Sequence, residues 1–398
     1  MQKTFELPAG HAAGEAAHII QSYLKPRLSE LAACRNSGEL HTCAAYRETA
    51  PHLERVLNHV QIGGERTSRA SAKSHYRILA WNIERGKELK RQLEAFRNHP
   101  YLKTCDVLLL TETDVGMARS GNVDVARTIA AELGMEYAFA PCYLSLVKGS
   151  GIERDVAGEN ALGLHGNAIL SRYPILETQS IALENGIDKL ASKEKRLGRQ
   201  TAVAATIALP DMPVTMVSVH LDANSAQRHR AEQMQTILDA VPANGPVLLG
   251  GDWNTTTFNS SSAFHAIMGY FLRVLMGPDN VIRNHYLHPY RRFEKQLFDL
   301  LESREYEYRK SNVMGAYTIY YDVEDLRTYK GLAEWIPGWC FPFIKWALRN
   351  HQGRCPLKID WFATRGLRVQ NPCVIHDLRE GQLPPLSDHD AIGVEIVS

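Results

Sequence analysis

Runs of apolar residues too short for helices recur along this chain and break off at a residue able to hold a proton or a cation. Arg77-Ile78-Leu79-Ala80-Trp81 ends on Asn82, Val107 to Thr111 ends on Glu112, and Val214 to Val219 ends on His220. Pro246-Val247-Leu248-Leu249 passes through two glycines to Asp252 and Asn254. Asp360 lies in the run Leu357 to Ala363, and Asp388 and His389 stand just before the closing run Ala391 to Val397. Short apolar runs without a polar face are strands covered on both sides, because a half-exposed strand alternates and a helix needs more length. A single polar residue after a strand is ordinarily a solvated loop residue. Six such endings are harder to dismiss, since strand ends on one sheet edge converge in space while staying far apart in sequence.

The order of elements predicts the layering. Helical patterns at Leu89–Phe96 and Val123–Leu133 alternate with the early strands, and strands dominate from Asn167 onward. Apolar strands with helices between them predict two mixed sheets packed back to back and flanked by helices, a four-layered α/β sandwich. Residues 1–62 read as a helical N-terminal extension, from apolar spacings of three and four in Ala12–Leu24, Leu28–Cys34 and Leu40–Val60. A polar stretch opens a linker at 63–75, the main domain follows at 76–398, and a helix-prone, aromatic insertion interrupts it at about 256–358.

Composition narrows the classes. A chain of 398 residues with 44% apolar and 22% charged residues is globular and large enough for additions to one core. Lys and Arg number 45 against 44 Asp and Glu, so net charge gives no reason to expect tight, non-specific binding to duplex nucleic acid. Seven scattered cysteines without a CxxC pair point to reduced thiols and a cytoplasmic setting. No leader and no transmembrane run is expected from the sequence.

Glu112 and Asn82 offer hard oxygens suited to Mg²⁺ or Mn²⁺, whereas zinc would call for clustered His and Cys. This donor set suits metal-assisted attack on a phosphate ester. Asp252 can take the proton of the attacking water, and Asn254 can hold water or phosphate. His389 is a candidate donor to the phosphate, with Asp360 fixing its tautomer and keeping it protonated. His220 could stabilise the transition state or protonate the leaving oxygen.

The ordered strings ILAWNIERG, LLLTETD, HGNAILSRYP, VSVHLDAN, GGDWNT, KIDWFAT and SDHDAI resemble the endonuclease/exonuclease/phosphatase superfamily, which includes deoxyribonuclease I, exonuclease III and sphingomyelinases. The resemblance spans residues 76–398. It implies the four-layered sandwich, metal-dependent phosphoester hydrolysis, Asn82, Glu112 and Asp388 at the metal, and Asp252, Asn254, Asp360, His389 and His220 as catalytic positions. Asn167 matches a recurrent string of variable role. The second motif departs from the usual Gln-Glu, reading Thr111-Glu112, and the gap between GDWN and Asp360 is long.

Substrate clues are fewer. Lys189, Lys193, Lys195, Arg196 and Arg199 could form a local funnel for a polyanion, with Arg199 the candidate phosphate grip and Asn224 a further substrate contact. The run Leu332–Trp346 could be a lid, a stacking platform or a peripheral membrane contact, or simply the core of its own insertion. The leading expectation is a Mg²⁺-dependent phosphodiesterase with nuclease-like chemistry. Its alternatives are a lipid-headgroup or inositol-phosphate hydrolase of the same fold and a non-catalytic phosphate-ligand module. Nucleic acid, phospholipid headgroup and soluble phosphoester stay open as substrates, and the sequence names no partner for the N-terminal helices.

Overall fold

The computed structural model describes residues 11–65, 71–259, 261–322 and 341–397. Its strands are β1 (Gln61–Gly63), β2 (His75–Arg85), β3 (Val107–Val115), β4 (Glu136–Ser145), β5 (Leu164–Ser171), β6 (Ile175–Ala182), β7 (Arg196–Gly198) and β8 (Thr201–Ala208). They continue as β9 (Pro213–His220), β10 (Val247–Asp252), β11 (Ile319–Asp322), β12 (Arg354–Leu357), β13 (Asp360–Arg365), β14 (Val369–Ile375) and β15 (Ala391–Val397). One sheet runs in the order β1-β4-β5-β3-β2-β15-β14 with β7 on β4, the second runs β13-β10-β9-β8-β6, and β11 pairs with β12.

Alternation along each strand assigns its two faces to different layers. From β2, Ile78 and Ala80 enter a core shared with Ala205, Met216, Leu248 and Phe362 of the second sheet. Leu79, Trp81 and Ile83 point the other way, under the helices Leu89–Asn98 and Val125–Leu133. From β10, Leu248 faces the first sheet while Val247 and Leu249 pack with the helices Gln227–Ala240 and Lys295–Ser303. Helices, sheet, sheet and helices are therefore stacked, which is the sandwich the apolar strands imply. Gly250 makes the stacking close: a Cβ there would lie 2.6 Å from the Phe362 ring and 2.8 Å from Leu109.

The described N-terminal residues, from His11 to Val60, are built into this core. The expected Leu40–Val60 helix is two, Ser37–Thr42 and Ala44–Leu57, separated by extended backbone at Cys43. Ile20, Leu24, Leu31, Leu53, Val56 and Leu57 share one hydrophobic cluster with Trp81, Phe139 and Leu197. The segment then enters the first sheet as β1, where Gln61 stands opposite Phe139 of β4. Polar clasps reinforce the docking. Lys195 Nζ donates to the carbonyls of Ala32 and Cys34 at 2.6 and 2.9 Å, and Ser37 donates through its amide and hydroxyl to Asp188.

The insertion is also divided. Leu297, Phe298 and Leu301 complete the outer layer of the second sheet, whereas Ile282, Ile319, Ile344, Leu348 and Leu357 form a small core of their own beside β13.

Candidate functional site

Two parallel strand pairs create the site. In β2 and β3, Asn82 stands opposite Thr111, one residue before Glu112. In β9 and β10, Asp252 stands opposite His220, and the antiparallel β13 places Asp360 on the other side of Asp252. Parallel strands end together, so polar residues from distant sequence meet at one edge.

Asn82 joins the two sheets. Its Nδ2 lies 3.2 Å from Glu112 Oε1 and 3.2 Å from Asp252 Oδ2, and its Oδ1 accepts from the Glu84 amide at 3.1 Å. The same Asp252 oxygen is 3.5 Å from His220 Nε2, 3.7 Å from His389 Nε2 and 3.3 Å from Asn254 Nδ2. The other oxygen accepts the Asn254 amide at 2.9 Å, while Asn254 Nδ2 also donates to Leu221 O. His389 Nδ1 is 3.0 and 3.2 Å from the two oxygens of Asp360. The imidazole is thereby held with Nε2 toward Asp252.

Backbone irregularities aim the acids. Register slips between Asn82 and Arg85 and between Leu110 and Thr113 mark bulges, and Glu84, Arg85 and Glu112 all adopt positive φ, at 47°, 68° and 54°. Such bulges redirect side chains that strand parity would point elsewhere. Asn167 supports this turn: its Oδ1 accepts the Glu112 amide at 3.3 Å and its Nδ2 donates to Thr201 O at 2.7 Å. Its amide group is thus engaged on both sides by backbone, at Glu112 and at Thr201.

Burial and charge set the protonation states. Burial pushes the Asp252 carboxyl up to about 7; the charge of His389 opposes this and that of Asp360 adds to it. Burial pushes His220 down to about 4. Burial also disfavours charged His389, yet Asp360, Asp252 and Asp388 together hold it well above the ordinary imidazole range. For Glu112, burial is outweighed by Arg85 and by nearby imidazoles, which hold the carboxyl well below its usual range.

Beneath Glu112 lies a buried ionic network that strand-end reasoning does not reach. Arg85 is 3.4 Å from Glu112 Oε2, bonded to Glu153 and 3.8 Å from Glu194. Arg119 grips Asp114 with two nitrogens, at 2.7 and 3.0 Å, and reaches Glu194 at 2.6 Å. His165 Nδ1 is 2.8 Å from Asp114. Other residues absent from the strand-end set are Ser387, which donates to Asn82 O at 2.6 Å, and Thr318 of the insertion. Thr318 Oγ1 accepts the amides of Ile359 and Asp360, both at 3.1 Å, and its carbonyl accepts the Asp390 amide at 2.8 Å. Tyr321 of β11 sits close enough to Asp388 and Asp252 for their charges to raise its hydroxyl further than burial alone does. The bulge after Asn82 left Glu84 and Arg85 without a parity signal, and Thr318 carries no motif.

The donors fit a hard divalent cation. Glu112 and exposed Asp388 offer carboxylate oxygens without a thiol, while Asn82 turns its Nδ2 to Glu112 and its Oδ1 to the Glu84 amide. Crowding of negative charge supports this: Glu84 is raised by burial first and then by Asp388, with Glu112 contributing. Asp252, Asp360 and His389 also bring ligand atoms within 4.8 Å of one another. Both oxygens of Asp360 face His389 Nδ1, however, so this group is better described as a hydrogen-bonded acid–base set.

Arg199 is drawn away from these residues. Its guanidinium bonds Asn58 Oδ1 at 2.9 Å and pairs with Glu54 at 3.5 Å, both on the N-terminal helices. Lys189 is buried against Asp222 at 2.7 Å, Lys195 clasps the N-terminal helices, and Arg196 lies over the Tyr143 ring at 4.6 Å. These members of the basic run direct their charge at the protein, in place of the expected funnel. The backbone amide of Asn224 donates to Asp222 Oδ1 at 2.9 Å. Of the aromatic run, residues 332–340 lie outside the described residues, and Phe341–Ala347 is a helix.

The family model for the Endonuclease/Exonuclease/phosphatase family matches residues 79–389. Among solved structures, an endonuclease/exonuclease/phosphatase from Beutenbergia cavernae is 17% identical over 82% of this chain and 72% of its own, with a TM-score of 0.49. The human Nocturnin catalytic domain is 15% identical over 85% of this chain and 96% of its own, at 0.44. An AP endonuclease from Archaeoglobus fulgidus is 15% identical over 80% and 98%, at 0.43. No curated protein sequence matches the chain. The matched span holds the whole constellation from Asn82 to His389, and the chain belongs to the endonuclease/exonuclease/phosphatase family, phosphoester hydrolases that typically depend on a divalent metal.

Proposed function

We infer that this protein is a Mg²⁺-dependent phosphodiesterase with nuclease-like chemistry, acting in a reducing, cytoplasmic setting. The observation that carries the reading is the convergence of Asn82, His220, Asn254 and His389 on the carboxylate of Asp252. The setting rests on the described cysteines, all free thiols, and among the described residues no helix is long and apolar enough to cross a membrane.

Asn82, Glu112 and Asp388 would hold the cation, which when bound neutralises charge on the phosphoryl oxygens. Asp252 accepts the proton of a water placed in line with the scissile bond. The water oxygen forms the new P–O bond as the bond to the leaving oxygen breaks. Asn254, fixed by Leu221 O and the Asp252 oxygens, positions that water. Charged His389, locked by Asp360, donates Nε2–H to a non-bridging oxygen. A His220 held neutral by burial is a poor proton donor, which favours its role as a hydrogen-bond stabiliser and leaves solvent to protonate the departing oxygen.

The test is a panel of single-stranded and duplex DNA, RNA, sphingomyelin, inositol phosphates and bis(p-nitrophenyl) phosphate, run with Mg²⁺, Mn²⁺ or chelator. Turnover of at least one diester should require the metal and vanish in Glu112→Gln while the fold is retained. Metal-independent turnover, or undiminished turnover of Glu112→Gln, removes Glu112 from the metal site.

A further inference from the structure

The helix Ala263–Met276 wears its polarity inside out. Its one charged side chain, Arg273, is only 6% exposed and turns inward, bonding Thr257 O and stacking over Phe258 and Phe293 at 4.2 and 4.7 Å. Phe264, Met268, Leu272 and Leu275 face outward at 69%, 52%, 51% and 85% exposure. A helix on a water-facing surface buries its apolar stripe, so the reversed arrangement marks a face meant for an apolar medium.

What surrounds the face says which medium. No acidic residue occurs from Thr255 to Pro278, nor from Phe341 to Lys358. The helix Phe341–Ala347 shares the small insertion core with Met276 through Ile344, and it exposes Phe343 and Trp346 at 57% and 56%. Lys345 and Arg349 beside them, and Arg283 on the intervening segment, are exposed cations. The nearby acid Asp279 is paired with His351. Leucine, phenylalanine and tryptophan ringed by lysine and arginine match the chemistry of a bilayer interface with anionic headgroups.

We propose that this face docks the protein on an anionic membrane surface, with Ala263–Met276 lying in the interface plane and Lys345, Arg349 and Arg283 meeting the headgroups. Docking is tied to the catalytic loop: Arg273 holds Thr257, and Thr257 donates to Glu294, only three residues beyond Asn254.

Flotation with vesicles of phosphatidylcholine containing about a third phosphatidylglycerol tests this. It needs no turnover, so inactive Glu112→Gln protein serves equally, and its outcome is independent of the hydrolase reading. Wild type should float with these vesicles and bind phosphatidylcholine alone far less. The double variant Leu272→Glu/Leu275→Glu changes side chains already in water, and its partitioning should fall by about tenfold or more. Wild type left behind by the anionic vesicles, equal binding to both compositions, or undiminished flotation of the double variant overturns the proposal. So does light scattering that shows a wild-type dimer made monomeric by the double variant, which assigns the face to a second copy of the chain.

Discussion

Replacing Thr318 by valine isolates what one hydroxyl does for the catalytic pair. The side chain is fully buried, and its Oγ1 is the acceptor for the amides of Ile359 and Asp360, each at 3.1 Å. Valine fills the same volume, so no cavity opens, but two buried N–H groups lose their acceptor. Each orphaned donor costs about 1–3 kcal/mol, and relief of the hydroxyl's own desolvation returns part of this, leaving a net loss of about 2–4 kcal/mol. The amide of Asp360 moves with the carboxylate that fixes His389 Nδ1, so kcat should fall about ten- to a hundredfold, as expected for a small misplacement of a catalytic group. The Michaelis constant should change little. Thr318→Ser keeps the acceptor and should recover both quantities apart from about 1 kcal/mol for a lost methyl. Urea unfolding and steady-state kinetics on a diester measure the two effects. Thr318→Val within about 0.5 kcal/mol of wild type and with unchanged kcat refutes the reasoning.

His389→Ala should lower turnover by about two to four orders of magnitude, and comparable activity in steady-state assays would move the phosphate donor elsewhere, His220 first. Asp124 caps the helix Val125–Leu133 through the Arg127 amide, and burial raises its carboxyl from 3.8 to about 6. Its contribution to stability is therefore full below the unfolded value and is lost as pH rises through the folded one. Asp124→Asn keeps the cap without the charge, so it should gain on the order of 2–3 kcal/mol near pH 7.5 and almost nothing near pH 4. Melting curves at the two pH values check this, and an equal difference at both would count against it.

The sandwich was legible because whole-strand apolarity survives in a linear sequence, and strand ends name the residues that parallel pairing later assembles. Asn82, Glu112, His220, Asp252 and Asp360 stand at or beside such strand ends, and strand pairing brings them to one edge. Glu84 and Arg85 were not legible, since a bulge and two positive φ values undo the parity from which their directions would be read. Thr318 was invisible because a lone threonine in an insertion acquires meaning only when the chain brings it under Asp360. Charge runs mislead for a related reason: sequence shows that Lys195 and Arg199 are cations but leaves out the helix carbonyls and the Glu54 carboxylate that receive them. The docking of the helical segment leaves no local signal, because its apolar stripe and the sheet it covers lie far apart along the chain.

The clasp between the N-terminal helices and the loop around residues 186–199 has a consequence for selectivity. Glu194 anchors the loop to Arg119, Lys189 anchors it to Asp222, and Lys195 and Asp188 tie it to the helices. A segment moored at so many points has little freedom to mould itself around different ligands.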